Sequence, residues 1–437
     1  MHTALWYRRR DGSATQCKRT GARQQAGMMN KAADLSSGGR PAGAGDPPGL
    51  GPLEAVRGLL ADSFRFASPD APGLHFMGGL ADPALAGFPA LPKISTAGSD
   101  LSPAGAEMRC LGEAAERLSS LYDDGRPVER VAEAEVPPDL LACLEGGAAE
   151  EAEPKPEPEA QRSVPCLQGQ RLNDGEAVWV PAALVLHDPL GGLGALQGQA
   201  ARGIAAGPDW QSAVDRALAE LVERDAAALW WLGGTLPAPV GLDLLAAADA
   251  GAVLQALRQG KAGRRTWLLD IGTGFGLTAI AAVSVMADGE GFACGLAAAA
   301  SPAAAVRSAL VEMAQMELSQ HLIRGKAKAL GPDGLTEADF RQIERSVRIT
   351  PATCPLILGH GAPRLAAPPQ ASPAVLLMEA GPLYVVDCTL PALEIPVAAV
   401  LSPALQPMDA RTETERLRLA IQSTGGGQQY RHGVHLI

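Results

Sequence analysis

The sequence predicts an α/β fold, and two observations lead to that prediction. After about residue 52, short apolar runs typical of strands alternate with alanine- and leucine-rich segments typical of helices. Hydrophobic residues make up 47% of the 437 residues and aromatic residues only 4%, so a sizeable core must be built from Ala, Leu and Val. The strand candidates are EAVWVPAALVL, RTWLLDI, TAIAAVSVMA, AVLLME, LYVVDC and IPVAAVL.

Two segments are predicted to lie outside the packed core. Residues 1–52 are poor in apolar residues and rich in Gly, Arg, Ser and Pro, so they are expected to be disordered. Residues 146–163, GGAAEEAEPKPEPEAQRS, alternate Pro and Glu, which favours an extended and solvated linker or loop. The remainder, residues 53–437, is predicted to form one domain that contains this loop.

Composition and charge exclude several classes of protein. The chain has 37 basic and 48 acidic residues and a net charge of −11, which argues against a nucleic-acid or anionic-membrane partner. No apolar run approaches the roughly 20 residues of a membrane span, and no hydrophobic stretch follows the charged N-terminus as in a secretory signal. The seven cysteines are scattered and form no CxxC pair, so we expect thiols in a reducing cytoplasm.

One charged helical template occurs three times along the chain. AEMRCLGEAAERLSS (106–120) and AVDRALAELVERDAA (213–227) share Ala, Arg, Leu, Glu, Glu and Arg at identical spacings, and AAVRSALVEMAQMEL (304–318) is a partial third copy. The shared positions are Glu113, Glu116 and Arg117, then Glu220, Glu223 and Arg224, then Glu312 and Gln315. Ser102-Pro103, Asp209 and Ser301-Pro302 precede the three copies and predict helix N-termini there.

A solvated helix face is the ordinary explanation for one such pattern, but solvation gives no reason to repeat a template. If the copies converge around a pseudo-threefold centre, four or five carboxylates meet in one cleft and need a divalent cation among them. Mg²⁺ with phosphate oxygens suits that position, because Mg²⁺ prefers carboxylate oxygens and retains waters. The template arginines would then pair with phosphates. The sequence therefore predicts pseudo-repeated units whose helices converge on a cleft that binds Mg²⁺ and phosphate groups.

The segment LLDIGTGFG, residues 268–276, offers a different interpretation. A strand followed by a glycine-rich turn resembles the first motif of Rossmann methyltransferases, which requires a helix after the turn. The following LTAIAAVSVMADGEG predicts a strand instead. VVDCTLPALEIPVAAVL matches the same pattern without glycine in the connection, so we interpret both as a strand, a short excursion and a second strand.

From about residue 93 to the C-terminus, the chain resembles the YcaO family, in particular the cyclodehydratases of azole-containing peptide biosynthesis. The resemblance rests on SPAGAEMRCLGEAAERLS, GIAAGPDWQSAVDRALAELVERDA, GLAAAASPAAAVRSALVEMAQ, LNDGEAVWVPAALVL and VVDCTLPALEIPVAAV. The chain contains no Walker A loop, and the YcaO family binds ATP in a different kind of site. The resemblance thus implies a YcaO-type α/β fold around an ATP cleft.

The resemblance also implies an activity, its cofactors and the residues of the site. In the family, a Cys, Ser or Thr side chain of a ribosomally made precursor peptide attacks the preceding backbone amide, ATP phosphorylates the oxyanion, and loss of phosphate leaves an azoline. By the resemblance, Glu113, Glu116, Glu220 and Glu223 would hold Mg²⁺. ATP would contact Ser99, Arg117, Arg224, Glu312 and Gln315.

Partners and alternatives follow from the same resemblance. We expect a precursor peptide, a separate leader-peptide-binding, E1-like partner protein and, in the azole branch, a dehydrogenase; a homodimer is left open. Where the family commonly has polar residues around the first two helices, this chain has Ser99, Asp100, Ala201, Pro208 and Ser212. These substitutions motivate a second hypothesis, a catalytically degenerate scaffold subunit of a peptide-modifying complex. A thioamide-forming relative is the third alternative.

Overall fold

The structure is a computed structural model of the chain, and it describes residues 51–122, 126–145, 163–193, 198–272, 274–363, 372–409, 411–429 and 433–436. The segment 1–52 that was predicted to be disordered lies outside the described residues except for its last two positions. Of the predicted linker 146–163, only Ser163 is described, and it begins a strand.

Helices and strands alternate along the described chain. The helices are α1 Gly51–Arg57, α2 Pro103–Ser119, α3 Pro138–Glu145, α4 Ala182–Val185, α5 Trp210–Trp231, α6 Leu242–Ala247, α7 Ala250–Arg258, α8 Pro302–Leu330, α9 Glu337–Arg348, α10 Pro373–Ala380 and α11 Glu415–Thr424. The strands are β1 Leu60–Ala67, β2 His75–Ala81, β3 Ile94–Asp100, β4 Glu129–Ala132, β5 Ser163–Arg171, β6 Ala177–Pro181, β7 Ala201–Ala206, β8 Ala238–Pro239, β9 Arg264–Asp270, β10 Thr278–Met286, β11 Ala293–Ala299, β12 Tyr384–Asp387 and β13 Val397–Ser402.

The strands form three antiparallel sheets. Their orders are β1-β2-β3, β11-β10-β9-β8 and β4-β5-β12-β13-β7, with β6 paired to β5. Strands β3, β7 and β11 each lie at one end of their sheet, and α2, α5 and α8 pack on them respectively. Each of these helices also contacts the edge strand of another sheet: α2 contacts β7, α5 contacts β11 and α8 contacts β3. The mixed α/β class predicted from the sequence is confirmed.

The three template helices begin where their caps predict. The side chains of Ser102, Asp209 and Ser301 each accept a hydrogen bond from the backbone N–H three residues later. Each cap therefore satisfies one of the unpaired N–H groups of the first helical turn. The three helices accordingly start at equivalent positions of the template.

Small residues let the helices approach their strands closely. A Cβ on Gly203 of β7 would lie 1.9 Å from the carbonyl oxygen of Ala217 in α5. A Cβ on Gly295 of β11 would lie 2.1 Å from the backbone nitrogen of Met313 in α8. Helix backbone therefore lies directly on strand backbone at these two places, which accounts for part of the alanine and glycine content.

Four of the six strand candidates are confirmed, and two need correction. RTWLLDI, TAIAAVSVMA, LYVVDC and IPVAAVL correspond to β9, β10, β12 and β13. AVLLME was predicted as a strand but belongs to α10. The Ser372 side chain accepts a hydrogen bond from the N–H of Val375, Pro373 suits the first turn, and Leu, Met, Ala and Glu favour a helix. EAVWVPAALVL is a strand only as far as Pro181, after which α4 follows.

The glycine-rich turn joins two strands, as predicted. Strands β9 and β10 are directly paired, with Asp270 opposite Ile280, and β12 and β13 are paired with Asp387 opposite Ala398. Gly274 has φ +94° within the first connection, a conformation that favours glycine. A strand follows the turn where a dinucleotide-binding loop requires a helix, so the Rossmann interpretation loses its structural basis.

Candidate functional site

The first glutamate of each template caps the free edge of its own sheet. Each accepts a hydrogen bond from a backbone N–H of the strand on which its helix packs, and that strand has no further strand on this edge. The pairs are Glu113 with Ala97 at 2.5 Å, Glu220 with Ile204 at 2.7 Å, and Glu312 with Leu296. In every pair the glutamate follows the amide by sixteen residues, as expected for one repeated helix–strand geometry.

The second position of each template reaches the edge strand of a different sheet. The acceptor side chain lies three residues after the first template glutamate of its helix. Its partner lies two residues after the strand residue whose N–H is bound by another first glutamate. The pairs are Glu116 with the N–H of Ala206 at 2.9 Å, Glu223 with the N–H of Ala298 at 3.2 Å, and Gln315 Oε1 with the Ser99 hydroxyl at 2.6 Å. The contacts run in a closed order from α2 to β7, from α5 to β11 and from α8 to β3.

These hydrogen bonds give a physical reason for glutamates on such apolar helices. In a strand, the N–H groups of residues i and i+2 point to the same side, and on an edge strand they lack a partner. A half-buried amide without a partner costs free energy. The template places one acceptor on each of two successive amides of β7 and β11, and thereby joins the three helix–strand units into one body.

The same arrangement crowds carboxylates, here called the carboxylate cluster: Glu113, Glu116, Glu220, Glu223 and Glu312. Burial, together with the charges of Glu220 and Glu113, raises the pKa of Glu116 to about 8. Burial also raises the pKa of Glu223 to about 7, with a contribution from Glu220. The pKa of Glu312 lies well above its ordinary value because of burial and the charge of Glu223. Glu220 therefore interacts with carboxylates on two sides, Glu116 and Glu223.

Within the part of the chain that the structure describes, the template arginines contact the first glutamate of their own helix and make no hydrogen bond to the second. Arg117 contacts Glu113 at 2.7 Å, and Arg224 pairs with Glu220 and also donates to the carbonyl of Arg202 at 3.1 Å. Both oxygens of Glu113 and of Glu220 are thus occupied. Among the described residues, Glu116 and Glu223 each have a second carboxylate oxygen with no hydrogen-bond partner.

Two further arginines lie beside the carboxylate cluster, and both stand at a position that the sequence template repeats. Arg109 lowers the pKa of Glu312, and Arg216 lowers that of Glu116 while donating to the carbonyl of Ala206 at 3.1 Å. Both arginines occupy the fourth position before the first template glutamate. The repeat therefore marked them, but spacing alone did not show that each faces a carboxylate of another helix.

The residues that replace polar family positions make contacts within the protein. Ser99 is buried, and its hydroxyl donates to Gln315. Asp100 accepts from Ser102 and lies 3.3 Å from Arg109. Ser212 donates its N–H and its hydroxyl to Asp209 at the start of α5. Ala201 begins β7, and Pro208 is exposed.

A buried ion network anchors α8 immediately beyond its site residues. Glu317 is fully buried and contacts both Arg258 and Arg264, and it accepts from the Ser284 hydroxyl. Asp70 adds a second acidic group near Arg264 at 3.6 Å. Glu317 lies two positions after Gln315, outside the template, and faces this network and not the carboxylate cluster.

The donor set fits magnesium held jointly with phosphate oxygens and does not form a metal cage of protein ligands alone. Within the described ranges, no group of three or more His, Cys, Asp or Glu side chains is arranged to hold a metal ion. Mg²⁺ in nucleotide sites takes one or two carboxylates, and phosphates and waters complete its coordination. The free oxygens of Glu116 and Glu223 and the raised pKa values of both groups suit that role, because a cation would offset the burial of each carboxylate and its repulsion by Glu220.

An α/β body whose helices converge with crowded carboxylates and four arginines defines a class of protein that binds a divalent cation together with phosphate groups. The family model described as YcaO cyclodehydratase, ATP- and Mg²⁺-binding, matches residues 97–406. The chain belongs to the YcaO family, and the ATP and Mg²⁺ predicted from the sequence are confirmed at the level of that family. No curated protein matches the chain.

Solved structures support the fold. A heterocyclase in complex with substrate and cofactor is 20% identical with a TM-score of 0.66, and the match covers 85% of this chain and 55% of the heterocyclase. YcaO from Methanopyrus kandleri, bound with AMPPCP and Mg²⁺, is 21% identical with a TM-score of 0.54 over 81% of this chain and 88% of that one. The E. coli microcin synthetase McbBCD complex is 13% identical with a TM-score of 0.57 over 78% of this chain and 87% of that one.

The chain thus spans about half the length of the heterocyclase that it resembles. Among the described helices, none combines the length and the apolar character needed to cross a membrane.

Proposed function

We propose that this chain activates backbone amides of a ribosomally made precursor peptide with ATP and converts Cys, Ser or Thr residues into azolines. The side-chain sulfur or oxygen attacks the preceding carbonyl carbon, and the oxyanion takes the terminal phosphoryl group of ATP. Departure of phosphate then removes the former carbonyl oxygen, so that the products are azoline, ADP and phosphate. The family assignment supports this chemistry.

The observation that carries the proposal is the carboxylate cluster with its flanking arginines. Glu116 and Glu223 would bind Mg²⁺ through their free oxygens. Glu113 and Glu220 would hold the same ion through the negative charge that they add beside those two carboxylates. Arg224 and Arg117, each held by a carboxylate four residues earlier, would neutralise phosphate charge. Phosphoryl transfer depends mainly on such positioned charge, because there is little covalent chemistry for the protein to perform.

The third helix would line the nucleotide pocket. Glu312 carries a raised pKa and is held by the N–H of Leu296, and Gln315 is held by the buried Ser99 hydroxyl. These two side chains would meet the nucleotide from α8, beside Glu223 of α5. The hydrogen bonds to backbone amides fix the carboxylates before ligand binding, which reduces the reorganisation needed in the reaction.

Partners are part of the proposal. The McbBCD structures are described as a complex, in one case with pro-MccB17 bound, and the present chain covers only part of the heterocyclase that it resembles. We propose a separate leader-peptide-binding, E1-like protein that presents the precursor, with a dehydrogenase acting on the azoline product. A cytoplasmic location suits the six free cysteines of the described chain.

The test is ATP turnover with the partner protein and precursor peptide present. We expect ADP release coupled to a mass loss of one water per modified residue, measured by mass spectrometry. A mass change corresponding to exchange of oxygen for sulfur would instead show the thioamide-forming branch.

A non-catalytic scaffold is the second candidate, and one observation favours it. The hydroxyl groups of Ser99 and Ser212 are both used within the protein, by Gln315 and Asp209 respectively. Two positions that carry polar family residues thus direct their hydrogen bonds inward. The same turnover measurement decides: nucleotide binding without ADP release, in the complete complex, would support the scaffold.

A further inference from the structure

A cavity of about 270 Å³ lies apart from the carboxylate cluster and is lined by Ala338, Arg341, Arg345 and His435. We call it the arginine cavity. Its two arginines stand four residues apart on α9, so their side chains share one face of the helix. His435 comes from the extended C-terminal segment. Three basic side chains around one opening are unusual in a chain of net charge −11.

Residues 433–436 of the C-terminal segment pack against the rest of the protein. Val434 and Leu436 are buried, and His435 between them is exposed. The indole N–H of Trp231 donates to the carbonyl of Val434 at 2.7 Å. Trp231 is the last residue of α5, the helix that carries Glu220 and Glu223. The backbone that carries His435 is therefore anchored to the helix that contributes Glu220 and Glu223 to the carboxylate cluster.

Few acidic side chains neutralise the charges of the two arginines. Arg341 pairs with Glu337 at 2.8 Å, and both side chains are largely exposed, so this pair contributes little. Arg345 has no acidic partner among the described residues. Burial and the charge of Arg341 lower the pKa of Arg345, which shows that its positive charge is poorly stabilised by the protein itself.

The arginine cavity is separate from the carboxylate cluster, but one residue interacts with groups of both. Cys294 of β11 connects the two electrostatically: burial and the charge of Glu312 raise the pKa of its thiol, and the charge of Arg345 lowers it. The cavity itself is formed by α9 and the C-terminal segment, and no template residue lines it.

We infer that the arginine cavity binds an oxyanion, a carboxylate or a phosphate, through Arg341 and Arg345. Two guanidinium groups on one helix face form the planar, multiple hydrogen bonds that carboxylate and phosphate groups accept. If the proposed function holds, the carboxylate would belong to an acidic residue of the precursor peptide, and this identification of the ligand rests on that function. Free inorganic phosphate, a product of the reaction, is the second source of the same chemistry.

The experiment uses the full chain and three probes: acetylated hexaglutamate amide, its hexaglutamine counterpart, and inorganic phosphate, each titrated by calorimetry. We expect binding of the glutamate peptide or of phosphate, at least tenfold weaker affinity in Arg345→Gln, and no binding of the glutamine peptide. Arg348→Gln is the matched control, because Arg348 lies on the same helix, is largely exposed and does not line the cavity. Tighter binding of the peptide than of phosphate would identify the ligand as an acidic residue of the substrate. Tighter binding of phosphate would identify it as the reaction product.

Several results would overturn the inference. One is absence of binding by both anionic probes, and another is equal weakening in Arg345→Gln and Arg348→Gln, which would indicate a non-specific charge effect. Binding of ATP with Mg²⁺ is measured on the same variants. If Arg345→Gln abolished it, the cavity would be part of the nucleotide site. If the wild type bound no ATP, the proposed function would fail while the anion measurements kept their meaning.

Discussion

Glu116 of α2 accepts a hydrogen bond at 2.9 Å from the backbone N–H of Ala206, which lies ninety residues later in β7. This contact joins the first template helix to the edge strand of another sheet and holds the carboxylate beside Glu220. Glu223 makes the equivalent contact with Ala298. The same two glutamates have a free carboxylate oxygen, and they are therefore the positions where the role of the cluster is tested most directly.

Replacing either glutamate by glutamine should remove a magnesium ligand while retaining an acceptor for the backbone N–H. We expect Glu116→Gln and Glu223→Gln each to weaken magnesium-dependent ATP binding by at least tenfold in calorimetry, because one lost charge-assisted contact costs about 1.5–3 kcal/mol. Glu129→Gln, an exposed change on β4, is the control and should leave the affinity unchanged. Equal affinities in all three variants would contradict the magnesium assignment.

The raised pKa values predict a pH dependence of stability. In the folded protein the pKa of Glu116 is about 8, so between its ordinary value and about 8 the folded state binds more protons than the unfolded state. The contribution of Glu116 is therefore fully present at low pH and lost as the pH rises through about 8. Urea unfolding from about pH 6 to about pH 9 should show a decline that is smaller in Glu116→Gln.

Binding of ATP with Mg²⁺ should act in the opposite direction, because Mg²⁺ binds the deprotonated carboxylates. The thermal stabilisation by Mg²⁺ and ATP should increase from about pH 6 to about pH 8 as Glu223 and Glu116 lose their protons. Glu129→Gln should show the same increase as the wild type. A stabilisation that is independent of pH would show that these carboxylates do not change protonation on binding.

Glu317→Gln should destabilise the protein without acting on the nucleotide site directly. The substitution leaves two buried arginines, Arg258 and Arg264, without their shared carboxylate. Breaking a buried ion pair in this way costs about 3 kcal/mol or more. Urea unfolding measures the loss, and Glu337→Gln, at a largely exposed pair, should cost less than about 1 kcal/mol.

Two glycines, Gly203 in β7 and Gly112 in α2, should respond in opposite directions to replacement by alanine. Gly203→Ala would place a methyl group 1.9 Å from the Ala217 carbonyl oxygen, so it should cost about 3 kcal/mol or prevent folding. Gly112, inside α2, has open space around its Cβ position. Gly112→Ala should stabilise the protein by about 0.5–1 kcal/mol, and a destabilised Gly112→Ala variant would show a contact that the structure lacks.

Gly274→Ala tests the glycine-rich turn. Gly274 has φ +94° but open space around its Cβ position, so alanine should cost only the conformational penalty of about 1 kcal/mol. Binding of ATP with Mg²⁺ should persist in the folded variant, and S-adenosylmethionine should not raise the melting temperature of either protein. A clear thermal shift with S-adenosylmethionine, lost in Gly274→Ala, would contradict the assignment of this turn as a connection between strands.

The sequence by itself determined the elements whose causes are local. Cap residues, the helical template and the strand–turn–strand pattern around Asp270 all depend on neighbours within about one or two turns, and the structure has each of them where predicted. The error at α10 is also local. The apolar run AVLLME has no clear period of its own, whereas the Ser-Pro pair that precedes it predicts a helix.

Only the tertiary structure decided which amide each glutamate contacts. The spacing predicted that the carboxylates converge, but the partners of Glu116 and Glu223 lie 90 and 75 residues away on edge strands of other sheets. An edge-strand N–H is left unpaired by the order of strands in a sheet, and that order is set by pairing across the whole chain. The sequence therefore predicted which side chains converge, and the packing of three sheets determined which backbone amides they contact.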